Sequence, residues 1–420
     1  MTSPFLRLRC DLQIAPYGKK GSSSLAAHYA TATPENEYTI DENVHYGEIW
    51  FGDHPKHPSR TLDGTLLANL VEADVDGFLT NAVYERFKDL HGKHIPFLFK
   101  ILSFDKALPL QAHPHRKPEV AVTLSDTFDG FLGFRPVSEV KSFLKHVPEL
   151  RKVLSDHETV EAFLAAPEGE NGEGTEETKR LLKTLFTELL KTASTEMRAA
   201  MDQLLTHVER GTADEALGEL GRQEGFRDAV EKCLRDWPKD TGVFAALFFC
   251  NFVRRSKAQG IVVPKDCIHA YLEGDVVECM ARNDYMIACG LSGPEEKVSP
   301  EKFARELDFS PKPSTSFDMK HDTWERSENG KTRIYYSPWD EFDLLYTKLA
   351  SGEKDKTGGG VAGPTILVVT EGEVLMKHHG GLQKENLKKG QVVFVKPGNG
   401  WEWEAAEGGA EVWGAFVEGA

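Results

Sequence analysis

The stretch Gln111-Ala-His113-Pro-His115-Arg-Lys-Pro-Glu119, behind the apolar run Pro96-Phe-Leu-Phe-Lys100-Ile-Leu102, decides how the chain is read. Gln111, His113, His115 and Glu119 share odd parity, so an extended backbone points them to one face. Pro109, Pro114 and Pro118 interrupt a regular strand and loosen that parity. An imidazole, a carboxylate and an amide oxygen on one face can hold a divalent cation such as zinc. Such a set needs a further ligand from elsewhere. His269 is the candidate, in Val262-Val-Pro264-Lys-Asp-Cys-Ile-His269-Ala-Tyr271-Leu-Glu-Gly274, a second β-rich stretch closed by turn residues. Residue types alone read more often as a solvated polar face or an internally satisfied network than as a metal site.

The rest of the chain bounds what such a site can serve. Its 420 residues suit two or three domains rather than one core. Composition is that of a globular protein, and no apolar run is long enough to span a membrane. Met1-Thr-Ser-Pro-Phe-Leu-Arg-Leu-Arg9 lacks a signal-peptide apolar region, so a cytoplasmic location is expected. Six cysteines without a Cys-x-x-Cys pairing read as buried thiols of a reducing compartment. A net charge of −16 argues against nucleic acid and anionic membrane as partners. It also means that an anionic substrate needs a local cationic patch.

Periodicity divides the chain into a mainly β protein with a helical insertion. Residues 1–136 read as strands and turns with few helical stretches, although 74–90 reads as a broken helix. Near Pro136 the period changes: Val140, Phe143, Leu144, Val147 and Leu150 recur at helical spacing, as do Leu182, Leu185, Phe186 and Leu189. The expected domains are 1–136 together with 241–330, a helical domain at 137–240, and a C-terminal domain at 331–420. Gly260-Ile-Val-Val-Pro264 before His269 echoes Gly390-Gln-Val-Val-Phe-Val-Lys-Pro397 before Trp401, which suggests two related double-stranded β-barrels. The second presents tryptophan where the first presents histidine, so only the first is expected to hold metal. His378 and His379 are adjacent and would face opposite sides of a strand, so they read as a turn.

Several words in order along the chain resemble the type I phosphomannose isomerases. They are Gly18-Lys-Lys-Gly-Ser-Ser-Ser24, Tyr46-Gly-Glu48-Ile-Trp-Phe-Gly52, Gln111-Ala-His-Pro114, Lys117-Pro-Glu119-Val-Ala, Gly133-Phe-Arg-Pro136 and His269-Ala-Tyr-Leu-Glu-Gly-Asp-Val-Val-Glu278. The resemblance implies two cupin-like barrels plus an α-helical domain, and one zinc per chain held by Gln111, His113, Glu119 and His269. It further implies interconversion of mannose 6-phosphate and fructose 6-phosphate, feeding GDP-mannose synthesis. The implied partner is a small sugar phosphate, with the chain a monomer. Aldose–ketose isomerisation needs a base, a stabiliser of the developing oxyanion and a grip on phosphate. By resemblance Glu278 and Lys117 are the candidates for the base, and Tyr271 and Asp284 line the substrate pocket. Lys100 is a further catalytic candidate as a phosphate ligand, Glu48 one to position a sugar hydroxyl or a ligating histidine, and Arg116 a substrate-binding cation. From residue type alone, Glu278 reads equally as a salt-bridged wall residue, and Lys100 as a chain snorkelling from an apolar strand.

The same comparison exposes departures. Ala288 stands where the family pattern implies an arginine, Pro294 where it implies a lysine, Pro109 where it implies a serine, and Tyr17 where it implies a tryptophan. The segment between the Gln-Ala-His-Pro and Lys-Pro-Glu words is shortened, and Arg116 replaces a histidine. Arg116 and Arg282 are the candidates to restore cationic charge. Losing one oxyanion donor costs roughly 100- to 1,000-fold in rate. The expected turnover is therefore reduced, and the alternatives are a paralogue acting on another sugar or a non-catalytic sugar-binding protein.

Overall fold

The computed structural model describes residues 3–114, 119–169, 172–212, 216–282, 285–381 and 383–419. Two ten-stranded, mainly antiparallel sheet systems carry the chain. One is centred on the long strand His269–Ala281, whose second half, from Gly274, pairs with Phe97–Phe104 and Glu119–Thr123. The other is built around Thr365–His378 and Trp401–Phe416. The first strand of the chain, Phe5–Arg9, crosses to this second system and pairs with Val392–Val395. The mainly β architecture with a helical insertion is the one expected from periodicity.

Alternation along His269–Ala281 assigns each side chain its layer. Ala270 and Leu272 face outward and join a core formed with the helices, including Phe143, Leu185, Phe186 and Phe248. The helices run from Val137–His146 to Thr241–Phe249, and the last of them leads directly into the strand Cys250–Ser256. Asp156 and Thr175 cap two of them by accepting from the backbone N–H of Thr159 and Thr178. A helical layer thus covers one face of the metal-candidate sheet and stiffens it.

Within 1–136 the structure holds more helix than the sequence pattern suggests. Leu25–Thr31 is helical, capped by Ser24, whose Oγ accepts from Ala27 N and donates to the carbonyl of Tyr46. Its small residues Ala26, Ala27 and Ala30 are buried, so it lacks the bulky apolar stripe that announces a helix. The broken helix expected at 74–90 is present as Val75–Phe78 and Asn81–His91. In the C-terminal system Trp401 and Trp403 are both 2% exposed and fill the interior. His378 ends the strand Thr365–His378 and contacts Asn399, while His379 opens the turn after it and contacts the carbonyl of Trp401. The six cysteines are buried and free.

Close approach of the strands Asp11–Lys20 and His45–Phe51 depends on Gly18. A Cβ there would lie 2.4 Å from the Tyr46 carbonyl carbon and 2.5 Å from Gly47 N. Gly18→Ala is therefore expected to destabilise the protein by about 1–3 kcal/mol. A chemical denaturation midpoint equal to that of the wild type would show that the strands tolerate separation there.

Candidate active site

One strand gathers most of the candidate residues. His269 is paired across the sheet with Gln111 and with Leu132, Glu278 lies opposite Lys100, and Met280 lies opposite Glu119. His269 and Tyr271 have odd parity and Glu278 even, which on a regular strand would set them on opposite faces. A register shift between Tyr271 and Glu273 resolves this, next to Gly274 at φ +148°. The bulge turns the second half of the strand over, so Glu278 and Met280 line the same cavity as Glu119 and His113.

His113, Glu119 and His269 form a buried group whose ligand atoms all lie within 4.8 Å of one another. His113 Nε2 and His269 Nε2 each stand 3.2 Å from a Glu119 carboxylate oxygen. Gln111 Nε2 stands 3.1 Å from His269 Nε2, and the same amide turned over presents its oxygen there as a ligand. Proton bookkeeping shows what this arrangement is suited to. His113 Nδ1 donates to the carbonyl of Tyr285 at 3.0 Å, and His269 Nδ1 donates to the carbonyl of Cys267 at 3.0 Å. Carbonyls only accept, so in both neutral rings the proton sits on Nδ1 and Nε2 carries a bare lone pair. Those lone pairs face a carboxylate. Acceptors arranged in this way repel one another unless a cation lies among them, and the carbonyl-held tautomer is the one a metal-ligating histidine uses. Tyr271 Oη donates to Glu119 Oε1 at 2.7 Å and fixes the carboxylate from outside. Nitrogen and oxygen donors with fixed orientation fit a zinc ion.

Next to this cluster lies a chain of charged groups. Lys100 Nζ is 2.7 Å from Glu278 Oε1 and 3.3 Å from Glu48 Oε2. Trp50 Nε1 donates to Glu48 Oε2 at 2.7 Å, and Tyr17 Oη donates to Glu48 Oε1. Burial pushes the Glu278 carboxyl up to about 8, with Glu119 and Glu48 adding to the effect and Lys100 opposing it. Lys100 is held above its ordinary value, because Glu278 and Glu48 outweigh the cost of its burial. Both clusters open into one cavity of about 270 Å³, whose wall also includes Lys56, His57, Pro109, Met286 and Glu296.

Gln111, His113, Glu119 and His269 thus come together, as do Glu48, Lys100 and Glu278 beside them, with Tyr271 supporting the first group. Arg116, Lys117 and Asp284 lie outside the described residues. Arg282 does not restore the missing charge, because its Nε is 3.1 Å from Asp53 Oδ1 and its guanidinium donates to the Asp53 carbonyl. Ala288 is fully buried and sits directly opposite Gln111, so its Cβ shares that residue's face. Pro294 opens a short 3-10 turn that ends on Glu296, which puts a carboxylate on the cavity wall.

Sequence reasoning missed Trp50, Tyr285 and Glu296. Trp50 was accessible as the residue two positions after Glu48 on the same strand face. The Tyr285 contribution is a backbone carbonyl, which no side-chain pattern announces.

Comparison with known proteins places this geometry. The model of the phosphomannose isomerase type I catalytic domain matches residues 5–128, and that of the type I helical insertion domain matches residues 154–249. A mannose-6-phosphate isomerase of Cryptococcus neoformans is 30% identical, with 96% of each chain covered. The Saccharomyces cerevisiae mannose-6-phosphate isomerase is 28% identical over the whole of both chains. Among solved structures, the apo form of the Salmonella typhimurium mannose 6-phosphate isomerase superposes with TM-score 0.77 at 20% identity, covering 99% of this chain and 100% of that one. The same enzyme bound to fructose 6-phosphate and zinc superposes with TM-score 0.76, at the same identity and coverage.

Proposed function

The chain belongs to the type I phosphomannose isomerase family, and from that premise we propose that it is a zinc-dependent isomerase interconverting mannose 6-phosphate and fructose 6-phosphate. The observation that carries the reading is the pair of imidazoles, each held by a carbonyl with its lone pair aimed at Glu119. Gln111, His113, Glu119 and His269 would hold one zinc, and residues 1–136 with 241–330 would form the catalytic unit. Bound zinc would act as a Lewis acid toward the oxygens at C1 and C2. Glu278 takes the proton from one of these carbons and returns it to the other. Burial poises its carboxyl close to neutral pH, where a carboxylate is both available and basic enough for the task. Lys100 stays cationic, holds Glu278 in place and offers N–H donors toward the sugar oxygens. Supplying mannose 6-phosphate for GDP-mannose synthesis is the corresponding cellular role.

Following mannose 6-phosphate by NMR with the zinc-loaded protein tests the reading. Fructose 6-phosphate should accumulate to the equilibrium ratio, and an unchanged spectrum after prolonged incubation would overturn it.

The pH profile follows from the Glu278 environment. Only the ionised carboxylate can act as base, so kcat/KM should rise with pH through the carboxyl's pKa, which burial has moved up to about 8. Zinc at Glu119 would neutralise one of the charges raising it, so the loaded enzyme should titrate below that value yet above the ordinary 4.5. A profile that stays flat until the pH falls to about 4.5 would assign the base elsewhere.

A further inference from the structure

A second cavity, of about 240 Å³, adjoins the first. Tyr17, Pro109 and Glu296 line both, so the two spaces meet along a common wall. The second is also lined by Lys106, Trp237 and Ser292. Ser292 is 5% exposed, and its buried Oγ has no hydrogen-bond partner among the described residues. Trp237 Nε1 is likewise buried and unpartnered among them. Buried donors without partners are rare in folded proteins and mark places where a ligand or water completes the bonding. Lys106 Nζ lies 4.2 Å from the centroid of the Trp237 ring, and no carboxylate among the described residues pairs with it. Lys100, by contrast, is already engaged by Glu278 and Glu48.

We propose that Lys106, Trp237 Nε1 and Ser292 Oγ form an anion subsite that takes the phosphate of the substrate while its other end reaches the Glu119 cluster. The assignment to substrate phosphate rests on the isomerase reading above. A phosphate monoester presents three terminal oxygens and so can accept from all three donors. A neutral hydroxyl has too few lone pairs to do so and gains little from an ammonium. The Trp237 ring face holds the ammonium without cancelling its charge. Glu295 and Glu296 are exposed at the rim, where water screens them. Their charge lowers the affinity for an anion without occupying the donors.

The test uses the full-length, zinc-loaded protein and inorganic phosphate as the probe, titrated by calorimetry and by tryptophan fluorescence. Lys106→Gln is expected to weaken phosphate binding about tenfold, as loss of a charge-assisted bond does. Trp237→Phe should remove the fluorescence response, and Ser292→Ala should weaken binding less than Lys106→Gln. With mannose 6-phosphate, Lys106→Gln should raise KM by a similar factor with kcat little changed, whereas binding of unphosphorylated mannose should not move. Circular dichroism of each variant establishes that it folds. Phosphate affinity equal in the wild type and Lys106→Gln overturns the proposal, as does a wild type that binds no phosphate. Weaker phosphate binding with an unchanged KM overturns the subsite's role in substrate binding. A wild type that binds phosphate through these residues but turns over no mannose 6-phosphate refutes the isomerase reading and leaves the anion subsite standing.

Discussion

Glu278→Gln is expected to lower kcat by about 100- to 10,000-fold, the range that separates an enzyme from one lacking its general base. The amide keeps the shape of the side chain and can still accept from Lys100, so folding and zinc content should persist. It cannot take a proton. Glu278 is 2% exposed and held 2.7 Å from Lys100, on the strand that also carries His269. Removing Lys100 instead is a poorer experiment, because it leaves Glu278 and Glu48 buried without their cation, at about 3–5 kcal/mol. A Glu278→Gln protein retaining more than about a tenth of wild-type kcat would move the proton-transfer role to another group.

His269→Ala is expected to take metal content from near one zinc per chain to near none. His269 is fully buried, its tautomer is fixed by the Cys267 carbonyl, and Nε2 faces both Glu119 and Gln111. Losing a group that merely orients a ligand costs about 10- to 100-fold in metal affinity, so losing the ligand itself should cost more. Chelator should lower the melting temperature of the wild type and leave that of His269→Ala unchanged, since a ligand stabilises only the state that binds it. His378→Ala, in the C-terminal sheet, should retain the full zinc content, because that ring contacts Asn399 and lies outside the His113, Glu119 and His269 group. Metal content near one in His269→Ala, measured after dialysis, would place the ion elsewhere.

The fold and the grouping of His113, Glu119 and His269 were legible in the sequence, the first from periodicity and the second from family words. Helical spacing from Val140 onward marked the insertion, and the family words around Gln111 and His269 contain the residues that the structure brings together. The Leu25–Thr31 helix was not legible, since buried alanines carry no bulky apolar stripe. Parity alone would have put Glu278 and His269 on opposite faces. Only the bulge beside Gly274 brings them together, and a bulge is set by pairing partners far away in the chain. Arg282 was a reasonable substitute for the arginine implied at Ala288, but an arginine takes the nearest buried carboxylate, here Asp53. Nothing in the sequence marked Lys106 and Trp237 as neighbours, because their meeting depends on how the helical layer docks on the sheet.

A coupled assay on mannose 6-phosphate, with and without metal, tests the central claim most directly. Wild-type protein should produce fructose 6-phosphate, lose that activity on chelation and recover it when zinc is added back. Turnover should be low for an isomerase, since Glu48, Glu119, Glu278 and Glu296 outnumber the lysines on the described cavity wall. Activity that survives complete removal of metal, or its absence from protein carrying a full zinc complement, would contradict the account.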